Sequence, residues 1–114
     1  MAELSGKNIA IIATDGFEDV ELTSPKDAVE QAGATTKVIS TETGEIEGKK
    51  GAKVAVDAKT ADATADEFDA LILPGGTVNA DAIRTDADAV ALVKTFKDAG
   101  KPIGVICHGG WILA

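Results

Sequence analysis

"KNIAIIATD", residues 7–15, is a continuous apolar run that ends in turn chemistry. It lacks the polar alternation of a half-exposed strand and reads as a parallel strand buried on both faces. The same theme recurs further along the chain. "TTKVIST" (35–41) reads as a second strand, "FDALILPGG" (68–76) as a buried strand entering a glycine-rich turn, and "KPIGVIC" (101–107) as the next. Helical patterns lie between them. "TSPKDAVEQAG" (23–33) predicts a helix with Ser24 as N-cap, Pro25 at the first helical position, Asp27 at capping-box-like spacing and Gly33 as the stop. From Thr85 a second helix is expected, because Ala89, Leu92, Val93 and Phe96 fall at i, i+3, i+4 and i+7, with Gly100 closing it. "GEIEGKKGAKVAVDA" (44–58) interrupts the pattern as a hairpin excursion with a Gly-Lys-Lys-Gly turn. Alternating strands and helices predict an α/β fold with a doubly wound parallel sheet.

Composition narrows the class. A chain of 114 residues supports one domain with a modest core. Aromatic residues make up only 4% of it, with three Phe, one Trp and no Tyr, so Ala, Val, Ile and Leu must fill the interior. That favours close-packed α/β layers. A net charge of −8 and a pI near 4.5 disfavour nucleic acid and anionic membranes as partners, since both attract cationic surfaces. One cysteine precludes an intramolecular disulfide, and the N-terminus does not read as a signal peptide. No apolar run approaches the roughly 20 residues of a membrane helix, so a soluble cytoplasmic protein is expected.

In doubly wound sheets, sites form beyond the carboxyl ends of the strands. Three turns fall there, "TDGFED" (14–19), "LPGGT" (73–77) and "CHGG" (107–110), and all three are expected to converge on one crevice. Cys107 would sit between a buried strand and a helix N-terminus, a corner that exposes sulfur and favours the thiolate. This is the logic of a nucleophile elbow, with Val105 where the G-x-S-x-G form has its first glycine. A lone cysteine after an apolar run is commonly a core residue. Gly109, Gly110 and the two other turns favour the nucleophile instead. The backbone N–H of His108 is a natural oxyanion-hole donor and Gly76 can supply a second. The His108 imidazole, the only one in the chain, is a candidate general base or else a surface or capping group. A Glu18 carboxyl could hydrogen-bond the cysteine sulfur and tune its protonation, or be one more solvated acid beside Asp15, Asp19 and Glu21. Neither a Walker-type nor a dinucleotide-binding glycine motif occurs.

"IATDGFEDVELTSP" (12–25), "FDALILPGGT" (68–77) and "AGKPIGVICHGGW" (99–111), in this order and spacing, resemble the ThiJ/PfpI superfamily. The closest branch is that of PfpI-like intracellular proteases, general stress proteins and protein deglycases. The resemblance runs from about residue 7 to the end. It implies a flavodoxin-like fold over a single domain, residues 1–114, corresponding to the N-terminal two thirds of the family domain. It also implies a reactive cysteine at Cys107, a glutamate bonded to that cysteine at Glu18, and the following histidine at His108. The acidic residue that orients this histidine from a neighbouring subunit maps onto Asp81 in "GGTVNADAIR" (75–84), one residue further along and Asp rather than Glu. Gly110 stands where many relatives carry proline, and relatives continue for about another third of the chain, so the sheet is expected to be incomplete at the C-terminus.

The expected function is that of a cysteine-dependent stress-response hydrolase acting on peptides, glycated proteins or small carbonyl compounds. Its chemistry requires no metal or organic cofactor. A redox-sensing or chaperone-like protein, or an inactive truncated fragment, are the competing expectations. The truncation predicts a homo-oligomer that buries Trp111, Ile112 and Leu113 between subunits, because an open hydrophobic edge invites pairing.

Overall fold

The apolar run that opens the chain forms the middle of a sheet. β1 (Asn8–Ile12) pairs in parallel with β2 (Thr35–Ser40) on one side, from Asn8 opposite Thr35 to Ile12 opposite Ile39. On its other side, Ile9, Ala10 and Ile11 lie opposite Ala70, Leu71 and Ile72 of a later strand. The structure, a computed structural model, describes residues 5–75 and 82–105. Between those two partners come the hairpin strands β3 (Gly44–Glu47) and β4 (Lys53–Val56), and the short β5 (Ala58–Lys59). The later strand is β6 (Ala70–Leu73), which pairs in parallel with β7 (Ile103–Val105). The main sheet has the order β5-β2-β1-β6-β7, and every pairing in it is parallel. The hairpin forms its own antiparallel pair, as its alternating sequence predicts.

Helices cover both faces, which is the doubly wound arrangement. Successive residues of a strand point to opposite faces. Ala10 and Ile12 accordingly join one core with Ile39, Leu71, Leu73, Phe68 and Phe96, while Ile11 and Ala13 join the other with Phe17, Leu22, Val38 and Ile46. The first core is closed by α2 (Ala87–Asp98), whose apolar face is the predicted set Ala89, Leu92, Val93 and Phe96. Asp86 caps this helix by accepting from the Ala89 amide at 2.8 Å, and Gly100 ends it at φ +73°. The Phe68 and Phe96 rings meet at 6.2 Å, and Lys101 reaches across to donate to the carbonyls of Ala65 and Phe68 at 2.6 Å each.

The first helix departs from expectation. α1 runs from Asp19 to Gln31, so it begins five residues before Ser24, which is exposed on its surface, and Pro25 lies inside it. Pro25 cannot donate an intrahelical hydrogen bond, a cost that normally ends a helix. Here tertiary contacts build the earlier turn: Leu22 is wholly buried, the Asp19 carboxylate is bound by two backbone amides, and Glu18 is tied to Gly75. Local capping chemistry at Ser24 is outweighed by these anchors. The predicted stop holds, with Gly33 at φ +102°. The two-residue strand β5 was not legible, because so short a segment carries no periodicity.

Candidate functional site

Strand order reverses at β1: the chain goes from β1 out to β2, then returns to the far side of β1 as β6. Beyond the carboxyl ends of β1 and β6 lies the topological switch point, where open α/β sheets build their sites. Two of the three predicted turns meet there directly. The Glu18 amide donates to the Gly75 carbonyl at 3.0 Å, and the Gly75 amide donates back to Glu21 Oε1 at 2.9 Å. β7 lies next to β6 with Leu73 opposite Val105, so the strand leading toward Cys107 shares the same edge. Cys107, His108, Gly76 and Asp81 themselves lie outside the described residues, as do Trp111, Ile112 and Leu113.

The "TDGFED" turn is held from the opposite side by the hairpin. Gly16, at φ +83°, donates its amide to the Glu47 carbonyl, and Asp15 Oδ1 accepts from the Glu47 amide at 2.8 Å. The Lys49 amide donates to the Phe17 carbonyl at 3.0 Å. The Asp19 carboxylate accepts from the amides of Lys50 at 3.0 Å and Ala52 at 2.8 Å. These amides, the Lys50 amide foremost, hold the Asp19 carboxyl below its ordinary range.

The acids of this segment thereby separate. Asp15, Asp19 and Glu21 each accept from a backbone amide and have evident structural work. The Glu18 carboxylate is met instead by side chains, with Lys49 Nζ at 2.6 Å from Oε2 and Lys50 Nζ at 3.5 Å from Oε1. Its side chain is only 17% exposed. The hydrogen bond from Lys49 leads in holding the Glu18 carboxyl below its usual value, and the same bond raises the Lys49 ammonium. Sequence reasoning missed both lysines as site residues. In "GKKG" they read only as turn residues, and no local signal shows that the hairpin folds back over the switch point. Among the described residues, no group of three or more His, Cys, Asp or Glu side chains could hold a metal ion.

The sequence model described as the DJ-1/PfpI family matches residues 7–114. The chain belongs to the DJ-1/PfpI family. Among curated relatives, Bacillus subtilis YraA, provisionally named a cysteine protease, is 44% identical over 108 residues. The Escherichia coli protein named protein/nucleic acid deglycase 2 is 43% identical over 109 residues. Each alignment takes in 94% of this chain and 63% of the relative, so the chain spans less than two thirds of their length. A solved ThiJ/PfpI domain protein from Brachyspira murdochii superposes with a TM-score of 0.86 at 30% identity, covering 96% of this chain and 62% of that one. These likenesses agree with the parallel-sheet α/β fold expected from sequence. Among the described residues of this family member, no helix is long and apolar enough to cross a membrane.

Proposed function

We propose that this DJ-1/PfpI family chain carries the site of a cysteine-dependent hydrolase acting on carbonyl electrophiles. The observation that carries the reading is the cross-tie of Glu18 to Gly75 at the switch point, on the sheet edge toward which β7 leads. The names of YraA and deglycase 2 support a peptide or a glycation adduct as substrate. In this reading the Cys107 thiolate attacks the carbonyl carbon, forming a carbon–sulfur bond while the carbonyl π pair moves onto oxygen. The amides of Gly76 and His108 receive that oxyanion. From a peptide, collapse of the tetrahedral adduct expels the amine, which takes a proton from His108. From methylglyoxal, which has no leaving group on the attacked carbon, His108 moves the proton of that carbon to the neighbouring carbonyl carbon. In both cases water attacks the resulting thioester, returns the proton and frees the thiol. Asp81 from a neighbouring subunit would orient His108, and Glu18 would set the charge beside the sulfur.

The deciding experiment follows methylglyoxal consumption and release of free amine from a methylglyoxal-treated peptide by the purified chain. Turnover lost in Cys107→Ala supports the reading. Turnover that survives the substitution, or none in the parent chain, defeats it for this protein.

A further inference from the structure

The structure assigns the groove between residues 60–66 and α2 as a docking site for a lysine side chain carried on an extended, cationic segment of another protein. None of its residues belongs to the switch point, and its occupation does not depend on the cysteine chemistry proposed above.

The groove follows from how its two walls are built. The chain leaves β5 at Lys59 and turns at once, with the Asp62 and Ala63 amides donating to the Lys59 carbonyl at 3.0 and 3.1 Å. It then makes a single 3-10 helical turn, Ala65–Glu67, before Phe68 enters the core. α2 forms the other wall. Two bonds fix the separation. The Thr60 hydroxyl donates to Asp86 at the start of α2, at 3.3 Å, and Lys101, which follows the end of α2, donates to the Ala65 carbonyl at 2.6 Å. Small side chains at Ala63 and Ala91 keep the walls apart, and a cavity of about 320 Å³ lies between them. That is the small end of the range for ligand clefts, about 300–1,000 Å³.

The chemistry of the groove is divided. Buried Leu92 and Ala65 and half-buried Ala63 make an apolar floor, while exposed Asp66 and Asp88 stand one on each wall. Among the described residues, neither carboxylate is paired with a cation, and no lysine or arginine lines the groove. Helix polarity by itself favours Asp88 in the first turn of α2. It does not explain a second carboxylate on the opposite wall of an open apolar floor. A lysine side chain has the matching division, an apolar stem and a cationic head. The stem covers the floor and the ammonium reaches the acids. The net charge of −8 adds a long-range attraction for a cationic segment.

The test titrates the complete chain with acetyl-Ala-Ala-Lys-Ala-Ala-amide and with its norleucine and glutamate counterparts, following backbone amide shifts by NMR. The lysine peptide should shift the amides of Ala63, Thr64 and Leu92 as a localised set. The norleucine peptide, with the stem but no charge, should bind several-fold more weakly, and the glutamate peptide should not bind. Asp66→Asn and Asp88→Asn should each weaken the lysine peptide roughly two- to fivefold. Asp27→Asn, which removes an equal charge from the exposed surface of α1, should leave it unchanged. Ala91→Phe should fill the groove and abolish the shifts; should that variant fail to fold, the two Asp→Asn variants still decide. Equal weakening by Asp27→Asn would mean attraction by net charge alone and overturns the site. So does a norleucine peptide that binds as well as the lysine one, or lysine binding indifferent to both Asp66 and Asp88. Shifts of the same amides with protein concentration alone would assign the groove to a second copy, and shifts with calcium but not with the lysine peptide would assign it to a metal ion. Either result overturns the proposal.

Discussion

Gly48 lies so close to Asp19 that a methyl group has no place between them, and the Asp19 carboxylate cannot retreat because two backbone amides of the same hairpin hold it. The helix that begins at Asp19 and the turn that begins at Gly48 are thereby locked as one unit. Glycine is required here by contact rather than by backbone twist.

Gly48→Ala should therefore destabilise the chain by about 1–3 kcal/mol, the usual cost of overpacking. Asp19→Ala should also destabilise it, by leaving the Lys50 and Ala52 amides without that acceptor. The double variant should cost less than the two single costs added together, because the alanine methyl then occupies space the carboxylate has vacated. Chemical denaturation of all four forms checks the coupling, and strict additivity would refute it.

Acid should weaken the same unit. Glu18 and Asp19 are both held below their ordinary values of 4.5 and 3.8, Glu18 first by the Lys49 hydrogen bond and Asp19 first by the Lys50 amide. A carboxyl that is more acidic when folded stabilises the fold above its unfolded value, and this is lost as pH falls through the folded one. Lys49 is shifted upward, so its contribution is complete below about 10.5 and is lost as pH rises through its higher folded value. Melting temperature should accordingly fall at both extremes. Glu18→Gln should flatten both limbs relative to the parent, and unchanged limbs would show that the pair contributes nothing.

Asp86 binds two elements at once, accepting from the Ala89 amide at 2.8 Å and from the Thr60 hydroxyl at 3.3 Å. Asp86→Ala should cost about 0.5–2 kcal/mol, the range for a lost N-cap. Asp86→Asn should recover most of it, since an amide oxygen still caps. Equal losses in both variants would point to charge rather than capping as the cause.

In the proposed chemistry, His108 acts after the thiolate has formed. His108→Ala should lower turnover by about 10²–10⁴-fold, the usual contribution of general acid–base catalysis, while Cys107 remains open to alkylation. Equal loss of alkylation and turnover would mean that the imidazole is needed to generate the thiolate itself.

Sequence alone determined the architecture, because buried parallel strands must be apolar along their whole length and helices must carry a stripe. Hence "KNIAIIATD", "FDALILPGG" and the Ala89–Leu92–Val93–Phe96 face were readable without a partner in view. It also showed that turns rich in glycine and acid fall at the carboxyl ends of strands, and the motifs in those turns disclosed the family. Tertiary structure decided what local pattern could not carry. Where α1 begins depends on Gly75 and on the hairpin amides, all distant in sequence, which outweigh the capping signal at Ser24. Which of four neighbouring acids is left for side-chain chemistry depends on which backbone amides reach the other three. Lys49 and Lys50 acquire a role only when the hairpin folds back over the switch point. A hydrogen bond is satisfied by geometry in three dimensions, and its partner leaves no mark on the residues beside it in the chain.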